Sequence, residues 1–218
     1  MDKNVLVVGA SGVFGTLFCK ELQEKGYQVL AAARTTERIP AGVKLALKID
    51  LEDQSSIDLL TNYLLQENIP LHGIVIASGA VGFGRIEETT PTDGTKLMQI
   101  NHLGPATLIT KLIPLLQEEG FVVGINGVVS EKVFPGMAAY TASKQANAAF
   151  LATLTMELRR KKIHVLDAKP GHTETGLASR ALFGTAPNFP TGMSPEHVVK
   201  TIMKALEEGK PALTSEEF

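Results

Sequence analysis

Tyr140 and Lys144 stand four residues apart in the stretch Tyr140-Thr141-Ala142-Ser143-Lys144. On a helix that spacing sets both side chains on one face. A free tyrosine titrates near pH ~10. To exchange a proton near neutrality it needs a stabilised phenolate, and an ammonium one turn away supplies that stabilisation electrostatically. A shift of ~2–3 units corresponds to roughly 3–4 kcal/mol. The ordinary reading of such a pair is two residues on an exposed helix face, so the surroundings decide.

A second chemical signal lies at the start of the chain. Gly9-Ala10-Ser11-Gly12-Val13-Phe14-Gly15 follows the apolar run Val5–Val8 and precedes a helical stretch. Glycines there permit a tight turn, close approach of the backbone to a diphosphate, and close helix–strand packing. Ser11, Gly12, Val13 and Phe14 would then stand at a helix amino end, where free N–H groups favour phosphate. Glycines mark many turns, but the strand–turn–helix context is the one that phosphate cradling requires.

Arg34 lies nineteen residues after Gly15, in Arg34-Thr35-Thr36-Glu37-Arg38. An acid at that distance would hold a ribose 2′-OH; an arginine suits a 2′-phosphate. This favours NADP(H), with NAD(H) still possible, and Thr35 stands beside it. The plainer alternative is a solvated arginine at a strand end. Asp50-Leu51 closes the third apolar run. Asp50 offers a carboxylate to an adenine amino group or, alternatively, caps the next helix, a job for which Asp53 competes.

These groups need elements to position them. The apolar runs Val5–Val8, Gln28–Ala33, Val43–Ile49, Gly73–Ala77, Phe121–Ile125 and Ile163–Ala168 are short and rich in Val, Ile and Leu. Both faces read apolar, as strands buried between helix layers should. Helices are expected at Phe14–Lys25, Asp53–Glu67, Lys96–Glu119, Tyr140–Lys161 and Ser194–Glu208, with Pro114 kinking or shortening the third. Strands alternating with helices predict an α/β fold: a doubly wound parallel sheet in three α/β/α layers, the Rossmann arrangement. Ligands bind such sheets at the carboxyl ends of the strands. A seventh strand at Lys210–Thr214 is doubtful, being short and containing Pro211.

The chain has 218 residues, 44% hydrophobic and 20% charged. That suits one domain over 1–218 and excludes a disordered chain. A net charge of −2 argues against nucleic-acid binding. The apolar stretches are too short to cross a membrane. Met1-Asp2-Lys3-Asn4 runs straight into Val5–Val8, a first strand rather than a secretory leader. The single cysteine, Cys19, leaves no internal disulfide and fits a reducing, cytoplasmic setting. The five histidines have no metal-ligand spacing, so no metal is expected. Arg159-Arg160-Lys161-Lys162 reads as a solvated helix end.

Together the glycine turn, Arg34, Asp50 and the Tyr140–Lys144 pair resemble the short-chain dehydrogenase/reductase family. The resemblance runs from Val5 to about Thr175. It implies a nicotinamide cofactor and hydride exchange with a small-molecule carbonyl or alcohol. By position, Tyr140 would be the general acid/base and Lys144 would tune it and hold the nicotinamide ribose. Asn101, in Ile100-Asn101-His102, matches the asparagine that bends its helix and supports a proton-relay water. Ile76-Ala77-Ser78-Gly79 matches the turn after the fourth strand. Pro170-Gly171-His172-Thr173-Glu174-Thr175 resembles the family's Pro-Gly turn, with Thr173 and Thr175 fixing carboxamide and diphosphate. The resemblance also implies a homodimer or homotetramer through the helices bearing Asn101 and Tyr140.

The chain departs from the family at three places. Its glycines are spaced Gly-x-x-Gly-x-x-Gly, and an asparagine is missing before Gly79. The serine that polarises the substrate usually lies about 12–14 residues before the tyrosine. There this chain has Val128, Gly127 and Asn126, with Ser130 the nearest serine. Either Asn126 or a re-routed Ser130 would have to donate to the carbonyl oxygen. His172 is a substrate contact or an ordinary loop histidine. Leu177–Met193, with Leu182, Phe183 and Phe189, reads as a substrate lid over an apolar substrate, or as a surface loop. The missing serine keeps open a dinucleotide-binding regulator with little catalysis. The glycine spacing keeps open an epimerase or dehydratase with a tightly held cofactor.

Overall fold

The computed structural model describes residues 3–218; Met1 and Asp2 lie outside them. Seven strands form one parallel sheet in the order β3-β2-β1-β4-β5-β6-β7. They are β1 (Asn4–Val8), β2 (Gln28–Ala33), β3 (Leu45–Lys48), β4 (Leu71–Ile76), β5 (Leu116–Ile125), β6 (His164–Ala168) and β7 (Ala212–Leu213). The helices are α1 (Val13–Glu24), α2 (Gln54–Gln66), α3 (Pro91–Met98), α4 (Gly104–Leu112), α5 (Ala138–Leu158) and α6 (Pro195–Glu207). This is the doubly wound arrangement that the alternation predicts.

Successive residues of β1 enter opposite layers. Leu6 and Val8 pack with Ile57, Leu64, Leu108 and Leu151 of α2, α4 and α5. Val5 and Val7 pack with Phe18, Leu22, Val198 and Ile202 of α1 and α6. The edge strand β3 departs from the expected two-sided burial: Leu45 and Leu47 are half-buried, while Ala46 and Lys48 are exposed. The doubtful seventh strand exists as two residues. Pro211 stands just before it, and Ala212 and Leu213 pair with Asp167 and Ala168.

The long helix expected at Lys96–Glu119 is corrected at both ends. It starts earlier, because Thr90 and Asp93 form a reciprocal cap ahead of Pro91. It then widens into a π-helical turn at Gln99–Leu103. It ends in a 3-10 turn at Ile113–Leu115, where Pro114 breaks the ladder, and residues 116–119 belong to β5. Asp53 takes the capping job on α2, accepting from the Ser55 N–H. Ser194 does the same for α6, accepting from the His197 N–H.

Candidate active site

The carboxyl ends of β1 to β6 open onto one cavity of about 810 Å³. Its floor is the glycine turn. Gly9 has φ +85°, and a Cβ there would lie 2.7 Å from the Ser78 nitrogen. A Cβ on Gly15 would lie 2.1 Å from the Gly9 carbonyl oxygen. So the three-glycine spacing lets β1, the start of α1 and the β4 turn close on one another. Gly9, Ser11, Gly12, Val13 and Phe14 line the cavity; Gly15 is packed beneath it. Gly12 precedes α1 without a side-chain cap, so the first N–H groups of the helix have no side-chain acceptor there.

Arg34 and Thr35 line the cavity beyond β2, and both are exposed. The 3-10 turn Thr36–Arg38 brings Arg38 to the same wall. The sequence places Arg38 only four residues on; it takes the turn to pair the two cations. Asp50 and Leu51 also line the wall, and Asp50 Oδ1 accepts from the Glu52 N–H (3.0 Å). Ala77, Ser78 and Gly79 line it beyond β4, where Ser78 Oγ is buried without a hydrogen-bond partner. Pro170, Gly171, His172 and Thr173 line it beyond β6. Thr175 stands off the wall, its Oγ1 accepting from the Leu177 N–H (3.3 Å). These residues fit a dinucleotide: a bare backbone cradle, a helix start and, among the described residues, two cations and a buried hydroxyl without partners.

Tyr140 and Lys144 sit on the first turns of α5, facing this cavity. Lys144 is 5% exposed, and its Nζ donates to the Ile125 carbonyl (2.8 Å). Burial pushes it down to about 8, against the pull of the Asp167 carboxylate. Burial also pushes Tyr140 up to about 12. Tyr140 therefore stays protonated near neutrality.

Asn101 lies behind the wall, in the π-helical turn. Its Oδ1 accepts from the Ala80 N–H (2.8 Å), and its Nδ2 donates to the Ala80 carbonyl (2.9 Å) and to Ser143 Oγ (3.0 Å). Ser143 Oγ donates in turn to the Tyr140 carbonyl (2.7 Å). The π-helical turn therefore ties the β4 turn to the helix carrying Tyr140. A Cβ on Gly79 would stand 3.3 Å from Lys144 Nζ, which keeps that turn bare.

The two stand-ins for the missing serine are held differently. Asn126 is fully buried: its Nδ2 donates to Asp167 Oδ1 (2.7 Å), and its Oδ1 accepts from Asn147 (2.9 Å). These bonds hold its amide in the core, and the residue lines the cavity. Ser130 lies off the cavity wall, its hydroxyl donating to the Gly127 carbonyl (2.8 Å). Asp167 was missed by sequence reasoning; a lone acid inside an apolar strand is the signal that could have found it. Its own acidity is weakened by burial and held up by Asn126, Lys169 and Lys144.

The segment 177–193 forms one side of the cavity. The Leu182 N–H donates to the Val81 carbonyl (2.9 Å), and the Phe83 N–H donates to the Phe183 carbonyl (3.1 Å). At its far end, the Met193 N–H donates to the His172 carbonyl (2.9 Å). Among the described residues, no helix is long and apolar enough to cross a membrane, and no group of three metal-ligating side chains converges.

A profile of the short chain dehydrogenase family matches residues 3–182. A dehydrogenase/reductase SDR family protein 7-like of Drosophila melanogaster is 28% identical over 233 residues, covering 96% of this chain and 71% of that protein. An NADPH-dependent 1-acyldihydroxyacetone phosphate reductase of Schizosaccharomyces pombe is 30% identical over 188 residues, covering 83% of this chain and 63% of that protein. A short-chain dehydrogenase structure from Streptomyces avermitilis matches with a TM-score of 0.86 at 26% identity, covering 98% of this chain and 88% of that one. Another, from Sphingobium yanoikuyae in complex with NADPH, has a TM-score of 0.87 at 22% identity, covering 97% and 87%.

Proposed function

The chain belongs to the short-chain dehydrogenase family of NAD(P)-dependent oxidoreductases, and from that premise we propose that it is an NADP(H)-preferring enzyme exchanging a carbonyl for an alcohol, with Tyr140 as general acid/base. The observation that carries this reading is the shared cavity, which Tyr140 and Lys144 line together with the bare glycine turn. The nicotinamide dinucleotide supplies or accepts the hydride when bound. The chain itself manages the proton. In reduction, Tyr140 gives its hydroxyl proton to the carbonyl oxygen as that oxygen gains charge. Burial keeps the proton on Tyr140 near neutrality, which suits the reductive direction. Lys144 then stabilises the phenolate until it is reprotonated.

Gly9 to Phe14 would hold the diphosphate, Arg34 and Arg38 the 2′-phosphate, and Asp50 and Leu51 the adenine. Ser78, Gly79, Pro170, Gly171 and Thr173 would frame the nicotinamide half. The forked, charge-assisted contacts of an arginine with phosphate are worth about 1.5–3 kcal/mol each. Replacing both Arg34 and Arg38 by Ala should therefore weaken NADPH about 100-fold or more while changing NADH less than threefold. Fluorescence titration of the two nucleotides checks this. Equal losses for both would remove the assignment of the arginines.

The Ser130 hydroxyl is spent on the Gly127 carbonyl, and one amide hydrogen of Asn126 is spent on Asp167. A missing donor to the substrate oxygen costs ~10²–10³ in rate, so turnover is expected to be slow. The same observation favours a second reading, a dinucleotide-binding regulator with little catalysis. The fate of the Tyr140→Phe variant separates the two. We further read 1–218 as one cytoplasmic domain with 177–193 as its lid. It would assemble as a homodimer or homotetramer through the helices bearing Asn101 and Tyr140, whose outer faces present Leu103 and Met156. A monomeric mass by light scattering would reject the assembly.

A further inference from the structure

The charged residues on the cavity wall fall into two groups. Beyond β2 and β3 they are Arg34, Arg38, Asp50 and Glu52, so both acids of the wall lie there. The other two are cations, Lys144 and Arg180. Lys144 is buried, whereas Arg180 is exposed. The bonds of its loop place Arg180. Its side chain hooks onto the Thr175 and Gly176 carbonyls, beyond β6 (3.2 and 3.0 Å). Two residues on, the Leu182 N–H donates to the Val81 carbonyl, beyond β4 (2.9 Å). In the sheet, β5 lies between β4 and β6. The stretch 180–182 therefore bridges the loops on either side of the β5 end, whose last residue, Ile125, takes Lys144 Nζ on its carbonyl. Arg34 and Arg38 follow β2, on the far side of β1.

Arg180 donates to those carbonyls through Nε and Nη2, which fixes the plane of its guanidinium. Its Nη1 hydrogens and the second hydrogen of Nη2 have no protein acceptor among the described residues, and no carboxylate pairs with the group. Neutral carbonyls orient an arginine and leave its charge whole. An oriented fork of this kind suits the paired oxygens of a carboxylate or phosphate. In the reading above, the phosphates of the nucleotide are met by the glycine turn and by Arg34 and Arg38. Arg180 is left over, on the Lys144 side of the cavity.

We propose that Arg180 is a specificity-determining residue, and that the substrate is a carbonyl compound, or its alcohol, carrying a carboxylate or phosphate apart from the reacting carbon. The proposal rests on the oxidoreductase reading for its reaction and on the wall alone for its binding. The test compares 4-carboxybenzaldehyde with its methyl ester, and the longer, flexible 6-oxohexanoate with its methyl ester. Within each pair the carbonyl is the same and the charge differs. With NADPH, kcat/KM should favour the acid of at least one pair about tenfold or more. Arg180→Ala should abolish that preference. Arg180→Lys, a point charge without the fork, should keep part of it. Both variants should hold NADPH within about threefold of the unmodified protein, since the proposal gives Arg180 no nucleotide contact. Equal handling of acid and ester in both pairs, or a preference that survives in Arg180→Ala, would overturn the proposal. So would a loss of NADPH affinity of about tenfold in Arg180→Ala, which would give the residue to the nucleotide diphosphate. If no aldehyde turns over, the oxidoreductase reading fails. Calorimetry with 4-(hydroxymethyl)benzoate and its methyl ester then decides the binding alone. Tighter binding of the acid, lost in Arg180→Ala, supports the proposal, and any other result overturns it.

Discussion

Tyr140→Phe should abolish reduction, by ~10²–10⁴-fold in kcat, while leaving fold and nucleotide binding intact. The ring fills the same space. Its backbone carbonyl still accepts from Ser143, so the link through Asn101 to the β4 turn survives. Only the proton is lost. Steady-state turnover beside a nucleotide titration checks this, and unchanged turnover would remove Tyr140 from the chemistry. The pH profile of the unmodified protein bears on the same point. Tyr140 holds its proton to about 12, whereas Lys144 loses its charge near 8. Reduction should therefore decline as pH rises through about 8, well before Tyr140 itself titrates.

Lys144→Met should move activity and stability in opposite directions. The Lys144 ammonium is buried and held at about 8, against an ordinary value of 10.5. Between those values the unfolded chain binds more protons than the folded one, so stability rises with pH across that window. Below about 8 the full penalty is in place, about 3 kcal/mol at ~1.4 kcal/mol per unit. Methionine removes that penalty, and its loss of the bond to the Ile125 carbonyl costs about 1 kcal/mol. A gain of about 1–3 kcal/mol is expected at pH 7, or roughly 2–10 °C in Tm. Turnover should fall at least ~10²-fold, because the phenolate loses its stabilising charge. Denaturant melts and turnover on the same preparation check both. A destabilised but fully active variant would contradict the account.

Much of the sheet was legible because buried parallel strands are short, apolar on both faces and bounded by glycine or polar turns. β2 at Gln28–Ala33 coincides with its apolar run. β3 did not follow the rule, since an edge strand has one exposed side. The long helix was misjudged because Pro114 and the Leu115-Leu116 pair mark a handover to β5, and its start was hidden in the Thr90–Asp93 cap. The spacing of Tyr140 and Lys144 made one shared helix face legible; that this face looks into the cavity required the fold. The fate of Asn126 was not: its amide is committed to Asp167 and Asn147, which come from β6 and α5 and meet it only through the tertiary fold. Arg38 likewise required the 3-10 turn, and the phenol's weakened acidity required knowledge of its burial.

Titration of the purified protein with NADPH and with NADH, followed by fluorescence, tests the central claim most directly. Saturable NADPH binding at least about tenfold tighter than NADH is the predicted result, since Arg34 and Arg38 on the cavity wall would add a charge-assisted contact that NADH lacks. Binding of neither nucleotide would contradict the assignment of the cavity and leave only the fold.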